Sequence, residues 1–198
     1  GNLSLLFGNF EVITIEPFDI KTSEQYLEFK LCNAGLNCGL MDFIVHFTGG
    51  CPFYLQILTD ALLKSNQNQL SEIIENLLFD NSGILNQRFS NYIKRFLDSS
   101  HCKEYLSILY LISSGRNKIK DIAHILQKQK KELALRVNHL LELDTITRSG
   151  DFLKINDRVF SFWLKFVYQQ KLQSLTFDAK NQKEKFRDKI EDMIQEFI

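Results

Sequence analysis

The sequence predicts a mainly α-helical fold. A bundle of amphipathic helices covers residues 21–100, three short helices and a β-hairpin cover 101–170, and a last amphipathic helix covers 171–198. Three observations carry this reading. Two prolines, Pro17 and Pro52, are the only ones in 198 residues, and Leu, Ile, Lys and Glu dominate between them, a composition that favours helix. Apolar residues recur from Tyr26 onward at the three- and four-residue spacing of a helix with one buried face. Within that region the period gives way to alternation at Thr145–Arg148 and Phe152–Ile155, either side of Ser149-Gly150-Asp151, as in a hairpin.

With 44% hydrophobic and 12% aromatic residues, the chain can bury one or two small cores. No apolar run reaches the roughly 18–20 residues of a membrane span, and no secretory pattern opens the chain. It reads as soluble and cytoplasmic, with no membrane partner. Cys32, Cys38, Cys51 and Cys102 lack paired C-x-x-C spacing and read as reduced thiols rather than zinc ligands or disulfides. Net charge is zero but uneven. Residues 1–100 carry 6 Lys/Arg against 11 Asp/Glu, residues 101–155 carry 10 against 6, and residues 156–198 carry 8 against 7, so the middle block is the basic one.

In chain order, apolar Leu3 to Phe10 is followed by Glu11–Phe18, where β-branched alternation predicts a strand stopped by Pro17. Thr22 with Gln25 three residues on predicts a capping box opening a helix to about Cys32. Asn33–Leu40 reads as loop and Met41–Phe47 as a short helix, with His46 a helix-end or core histidine. Leu70, Ile73, Ile74, Leu77 and Leu78 mark another helix. After a break at Asp80–Gly83, Ile84, Leu85, Phe89, Tyr92, Ile93, Phe96 and Leu97 form one stripe.

From Ser99 the pattern shortens. A helix through Tyr105, Ile108, Leu109 and Ile112 ends at Ser113-Ser114-Gly115. Asn117–Leu126 gives a second, with Ile119, Ile122, Ala123 and Ile125 expected buried, and a third carries Leu133, Leu135, Val137, Leu140 and Leu141. Three such helices and then a hairpin make a winged helix-turn-helix. Its third helix opens with Lys128, Lys130 and Lys131 and shows Arg136 and Asn138 away from the apolar stripe. Arg148 and Lys154 lie on the two wing strands. Cations on a recognition helix and wing are how this fold meets duplex DNA, so Lys128, Lys130, Lys131, Arg136, Arg148 and Lys154 are the candidate DNA contacts. A solvated lysine face on a protein-docking winged helix is the alternative. Phe186, Ile190, Met193, Ile194 and Phe197 then mark the last helix, which ends on apolar residues and, with the apolar start, suggests a piece cut from a longer chain.

The sharpest local signal is Thr48-Gly49-Gly50-Cys51-Pro52-Phe53-Tyr54-Leu55, where one helix stops and another starts. The glycines can take the positive φ of a helix end, and Pro52 suits a first helical turn. This Gly-Gly-x-Pro-x-Tyr-Leu turn resembles the second-sensor motif in the helical lid of archaeal-type AAA and STAND P-loop ATPases, whose lid is followed by a winged helix. Asn156-Asp157-Arg158-Val159-Phe160-Ser161-Phe162-Trp163 is similar to the sequence after that wing. The resemblance spans about residues 3–170. It implies that residues 1–20 are the last strand of an ATP-binding core, that 21–100 are the lid, and that Gly50 and Pro52 face the nucleotide. The family's arginines fall on Asn9 and Phe53 here, so those roles are not carried over.

The chain has no G-x-x-x-x-G-K-[ST] loop and no apolar strand ending in paired acids. It is therefore expected not to be an enzyme by itself, and to bind ATP poorly without the missing nucleotide-binding domain, while its parent protein is expected to be an ATPase. Ser4, Ser23 and Cys51 have no histidine at motif spacing, and His46, His101, His124 and His139 do not cluster, so no catalytic or metal residues are assigned. The reading is a nucleotide-gated module binding duplex DNA or a protein partner. A free-standing winged-helix transcription regulator is the alternative, as is a winged helix used only for protein contact.

Overall fold

The Gly-Gly turn is formed as its residues dictate: Gly49 and Gly50 have φ of 62° and 73°, which L side chains rarely adopt. A computed structural model of the chain describes residues 16–31, 38–65, 69–97, 101–168 and 179–198. The strand expected at Glu11–Phe18, and with it most of the expected core remnant at 1–20, lies outside them up to residue 15. Residues 16–19 have no regular structure.

Five helices form the first bundle: α1 (Ile20–Leu31), α2 (Cys38–Thr48), α3 (Pro52–Lys64), α4 (Leu70–Leu78) and α5 (Ile84–Leu97). Helix α1 starts earlier than the capping box predicts. The Asp19 carboxylate accepts from Thr22 N–H at 2.7 Å, so Asp19 is the N-cap and Thr22 lies inside the first turn; an aspartate two residues past a proline is as good a cap as threonine. That bond also holds the Asp19 carboxyl below its ordinary pKa. Helix α2 begins at Cys38, inside the stretch expected as loop. Helix α3 has Pro52 at its first turn and buries Tyr54, Leu55 and Leu58, each such side chain contributing about 1.5–3 kcal/mol of burial. Of the stripe on α5, Leu85, Phe89 and Ile93 are core while Ile84 is exposed.

The second part holds α6 (Cys102–Ser113), α7 (Ile119–Ile125), α8 (Lys130–Glu142), β1 (Ile146–Ser149), β2 (Phe152–Ile155) and α9 (Arg158–Trp163), which runs into a π-helical turn over Leu164–Tyr168. Helix α6 ends in a Schellman motif: Gly115 has φ 84°, and Arg116 N–H reaches the Leu111 carbonyl at 2.9 Å. The strands pair antiparallel with Ile146 opposite Ile155 and Ser149 opposite Phe152. That leaves Gly150-Asp151 as a two-residue loop, with Gly150 at φ 60°, as a type II′ hairpin requires. Asn117 and Lys118 add a short third pairing: Leu153 N–H donates to the Asn117 carbonyl, and Ile119 N–H to that of Asp151. The hairpin is the only sheet among the described residues, so no parallel sheet interrupts the bundle.

One sequence expectation fails here. Ile125, expected buried, is 45% exposed, and Leu135, off the stripe of Leu133, Val137 and Leu140, is 59% exposed, because α7 and α8 are packed on one side only. Apolar spacing alone cannot tell a core position from an apolar residue on the open face.

Helix α10 (Ala179–Gln195) packs back on α4. It buries Phe186, Ile190 and Ile194, and its Lys183 and Arg187 reach the fully buried Glu75 at 2.9 and 2.7 Å. The bundle and the winged part share one apolar core. At their seam Phe89 of α5 lies 5.3 Å from Phe160 and 5.6 Å from Trp163 between ring centres. The Trp163 indole N–H donates to Asn86 Oδ1 at 2.9 Å, satisfying its one polar atom in the interior.

Candidate functional site

The site grows from the Gly-Gly turn. Phe18 N–H donates to the Gly50 carbonyl at 2.9 Å. A Cβ on Gly50 would stand 2.1 Å from the Phe18 carbonyl oxygen, so only glycine permits this approach. Beside it, the aliphatic part of Arg158 lies where a Cβ on Gly49 would reach it at 3.0 Å, and Arg158 Nη1 donates to the His46 carbonyl at 3.0 Å. The result is a hollow of about 280 Å³ lined by Phe18, Asp19, His46, Gly49, Gly50 and Arg158. That is below the roughly 300–1,000 Å³ of sites that hold a whole ligand, so it suits a small group or one part of a larger ligand. Arg158 contributes a cation and Asp19 an anion to its lining.

Of the two residues expected to face nucleotide, Gly50 lines this hollow. Pro52 does not; it is exposed at the first turn of α3. Arg158 is the site residue that sequence reasoning misses, since nothing local signals a contact with His46 across 112 positions. His46 is exposed at the end of α2, its Nδ1 bonded to the Asp42 carbonyl at 2.9 Å.

The turn is tied to the winged part a second time. The Tyr54 hydroxyl, on the first turn of α3, donates to Asp157 Oδ2, while Asp157 Oδ1 accepts from Phe160 N–H at 2.9 Å and caps α9. Burial and the Asp157 carboxylate push the Tyr54 pKa well above its ordinary value. Phe53, next to it, carries the Arg88 guanidinium over its ring at 4.5 Å.

The six candidate DNA contacts do not form one surface. Lys130 and Lys131 are exposed at the start of α8. Lys128 and Arg136 both pair with Glu104 of α6, at 3.0 Å each, Lys128 while remaining exposed. Arg136, 20% exposed, also lies over the Tyr105 ring, so it is not presented outward as expected. The Lys128 hydrogen bond to the Glu104 carboxylate, with that of Arg136, lowers the Glu104 pKa and raises those of both cations. On the wing, Arg148 pairs with Leu153 and Lys154 with Thr147, which puts the two cations on opposite faces of the hairpin. Arg148 Nε bends onto the Gly150 carbonyl at 2.7 Å.

Among the described residues no helix is long and apolar enough to cross a membrane. No protein-family model matches the chain, and no curated protein matches it. Among solved structures it is similar to a Walker-type ATPase of Pyrococcus abyssi, with 20% sequence identity and a TM-score of 0.58 over 75% of this chain. The match takes in 42% of that protein, so the chain spans less than half of its neighbour's length. What the two share is the fold: this chain has the architecture of one part of a Walker-type ATPase.

Proposed function

We propose that this chain is the helical-lid and winged-helix part of an archaeal-type AAA or STAND ATPase, and that it acts as a nucleotide-gated binding module. The carrying observation is the double tie between the Gly-Gly turn and the start of α9, through Arg158 to His46 and Tyr54 to Asp157. A ligand seated on the turn bears on the winged part directly. Fold likeness to a Walker-type ATPase supports the reading. In it the hollow around Gly49 and Gly50 is one wall of an ATP site, whose phosphate-binding wall belongs to the nucleotide-binding domain. ATP supplies the two-state signal, and the residues of this chain seat its base side. The test is the parent reading frame expressed whole. Micromolar ATP binding that Gly50→Ala abolishes is the expected result, and a parent without a phosphate-binding loop overturns it.

For the winged part, a specific observation favours protein contact over DNA. Leu135 is exposed in the middle of the α8 face, between Lys131 and Asn138, while Lys128 and Arg136 are held by Glu104. Duplex DNA as the partner stays with Lys130, Lys131 and Lys154, and the salt titration described below decides between them.

A further inference from the structure

A second and larger hollow, about 500 Å³, opens at the seam between α5 and the root of the wing. Its floor is aromatic, Phe89 and Phe160, both buried. On the α5 side Arg88 forms no ion pair among the described residues; stacking on Phe53 at 4.5 Å holds its guanidinium in place. On the wing side stand Asp144 and Asp157. The Asp144 carboxylate is steadied by Asn156 Nδ2 at 2.9 Å, and Asp157 by Tyr54 and the Phe160 N–H.

Unlike charges free to move would close on one another. Here each is pinned by its own contacts, so a cation and two carboxylates line one hollow of a size that fits a small molecule. A simple anion at Arg88 would be repelled by Asp144, and an organic cation at Asp144 by Arg88. A bound metal ion is disfavoured too, as no set of three metal-ligating side chains gathers among the described residues.

We propose that this seam hollow binds a small zwitterion of the α-amino acid type, with its carboxylate on Arg88, its ammonium on Asp144, and its side chain over Phe160. Such a ligand bridges the bundle and the wing, so it regulates the same seam that the Tyr54–Asp157 bond spans. The proposal does not depend on the nucleotide reading, because no residue of the hollow belongs to the Gly-Gly pocket.

The test is ligand-observed NMR of the whole chain with the common L-amino acids, then calorimetry on the best of them with its N-acetyl and carboxamide forms. At least one free amino acid should bind at about 1 mM or tighter, and blocking either end should weaken it roughly tenfold or more, as expected for loss of a charged hydrogen bond. Arg88→Gln and Asp144→Asn should each weaken it to the same degree, with an unchanged circular dichroism spectrum. Asp144→Asn is the safer of the two, because asparagine tolerates the φ of 51° at that position. Failure of every amino acid to bind, blocked forms that bind equally well, or tighter binding of inorganic phosphate or putrescine than of any amino acid would overturn the proposal.

Discussion

Tyr54 and Asp157 join two elements 103 positions apart: the tyrosine hydroxyl from the first turn of α3 donates to the carboxylate that caps α9. One aspartate thereby fixes the start of a helix and the position of the Gly-Gly turn. Tyr54→Phe removes one donor and leaves a partly buried carboxylate oxygen unsatisfied, which costs about 1–3 kcal/mol. In thermal unfolding this is a fall of about 2–4 °C per kcal/mol for a chain of this size. Asp157→Asn keeps an acceptor for Phe160 N–H and should cost less than Asp157→Ala, which loses the cap as well. Equal midpoints for Tyr54→Phe and wild type would show that the bond does not hold the seam.

The same tyrosine makes a pH prediction. Its folded-state pKa is raised above the ordinary 10.0, first by burial and then by the Asp157 charge, so the neutral form is favoured by folding. A raised pKa contributes stability that is complete below the unfolded-state value and is lost as pH climbs above it. Wild type should therefore lose stability above about pH 10 more steeply than Tyr54→Phe does, as read by denaturant midpoints across that range. In phenolate absorbance one tyrosine should appear only on alkaline unfolding.

Two helix ends use residues other than glycine in the left-handed region. Gln127 after α7 and Asp144 after α8 both have φ of 51°, and each is followed by a six-to-one hydrogen bond, Lys128 to Ala123 and Thr145 to Leu140. Gln127→Gly relieves the strain and should stabilise by about 0.5–1 kcal/mol. Asp144→Gly gains a similar amount but loses the bond from Asn156, so its net change should be near zero. Chemical denaturation of the two variants side by side measures the difference.

Glu75 is buried and held by Lys183 and Arg187 of α10. Removing both cations strands a charge in the interior, so Lys183→Ala/Arg187→Ala should cost about 3–5 kcal/mol. Glu75→Gln leaves two cations that also reach Asp80 and Glu72 and should cost clearly less. Hydrogen exchange in α10 should speed up more in the double variant than in Glu75→Gln.

Most elements were legible because helical period and hairpin alternation are local properties, and so were the Gly49-Gly50 φ values and the Gly115 helix end. Contacts that cross the chain were not. Nothing beside Arg158 announces His46, and nothing beside Arg136 announces that Glu104, 32 positions earlier, turns it from the open face. Ile125 is as apolar as its buried neighbours Ile122 and Ala123, and only which side of α7 is packed separates them. Asp19 and Thr22 are both good N-caps; the hydrogen bond from Phe18 N–H to the Gly50 carbonyl, which draws residues 18–19 against the turn, favours the earlier start.

The last prediction concerns duplex DNA and turns on Glu104. In wild type this carboxylate holds Lys128 and Arg136, so the cations free to meet phosphate on α8 are Lys130 and Lys131. Each phosphate contact contributes about 0.9 units to the slope of log affinity against log salt. Wild type should therefore bind weakly and without sequence preference, with a slope that Lys130→Ala/Lys131→Ala lowers by about 1–2 units. Glu104→Gln keeps the shape of the side chain and removes the charge that holds both cations, leaving Lys128 its longer contact with Glu132 at 3.8 Å and Arg136 its place over Tyr105, so it should raise affinity at low salt and steepen the slope by about 1 unit. Arg136→Ala is a poor substitute, since it also removes the stack on Tyr105 and leaves Glu104 to Lys128 and the more distant His101. The measurement is fluorescence anisotropy on a labelled duplex at two salt concentrations for the three proteins. Binding that ignores salt, or that neither variant changes, assigns α8 and its exposed Leu135 to a protein partner.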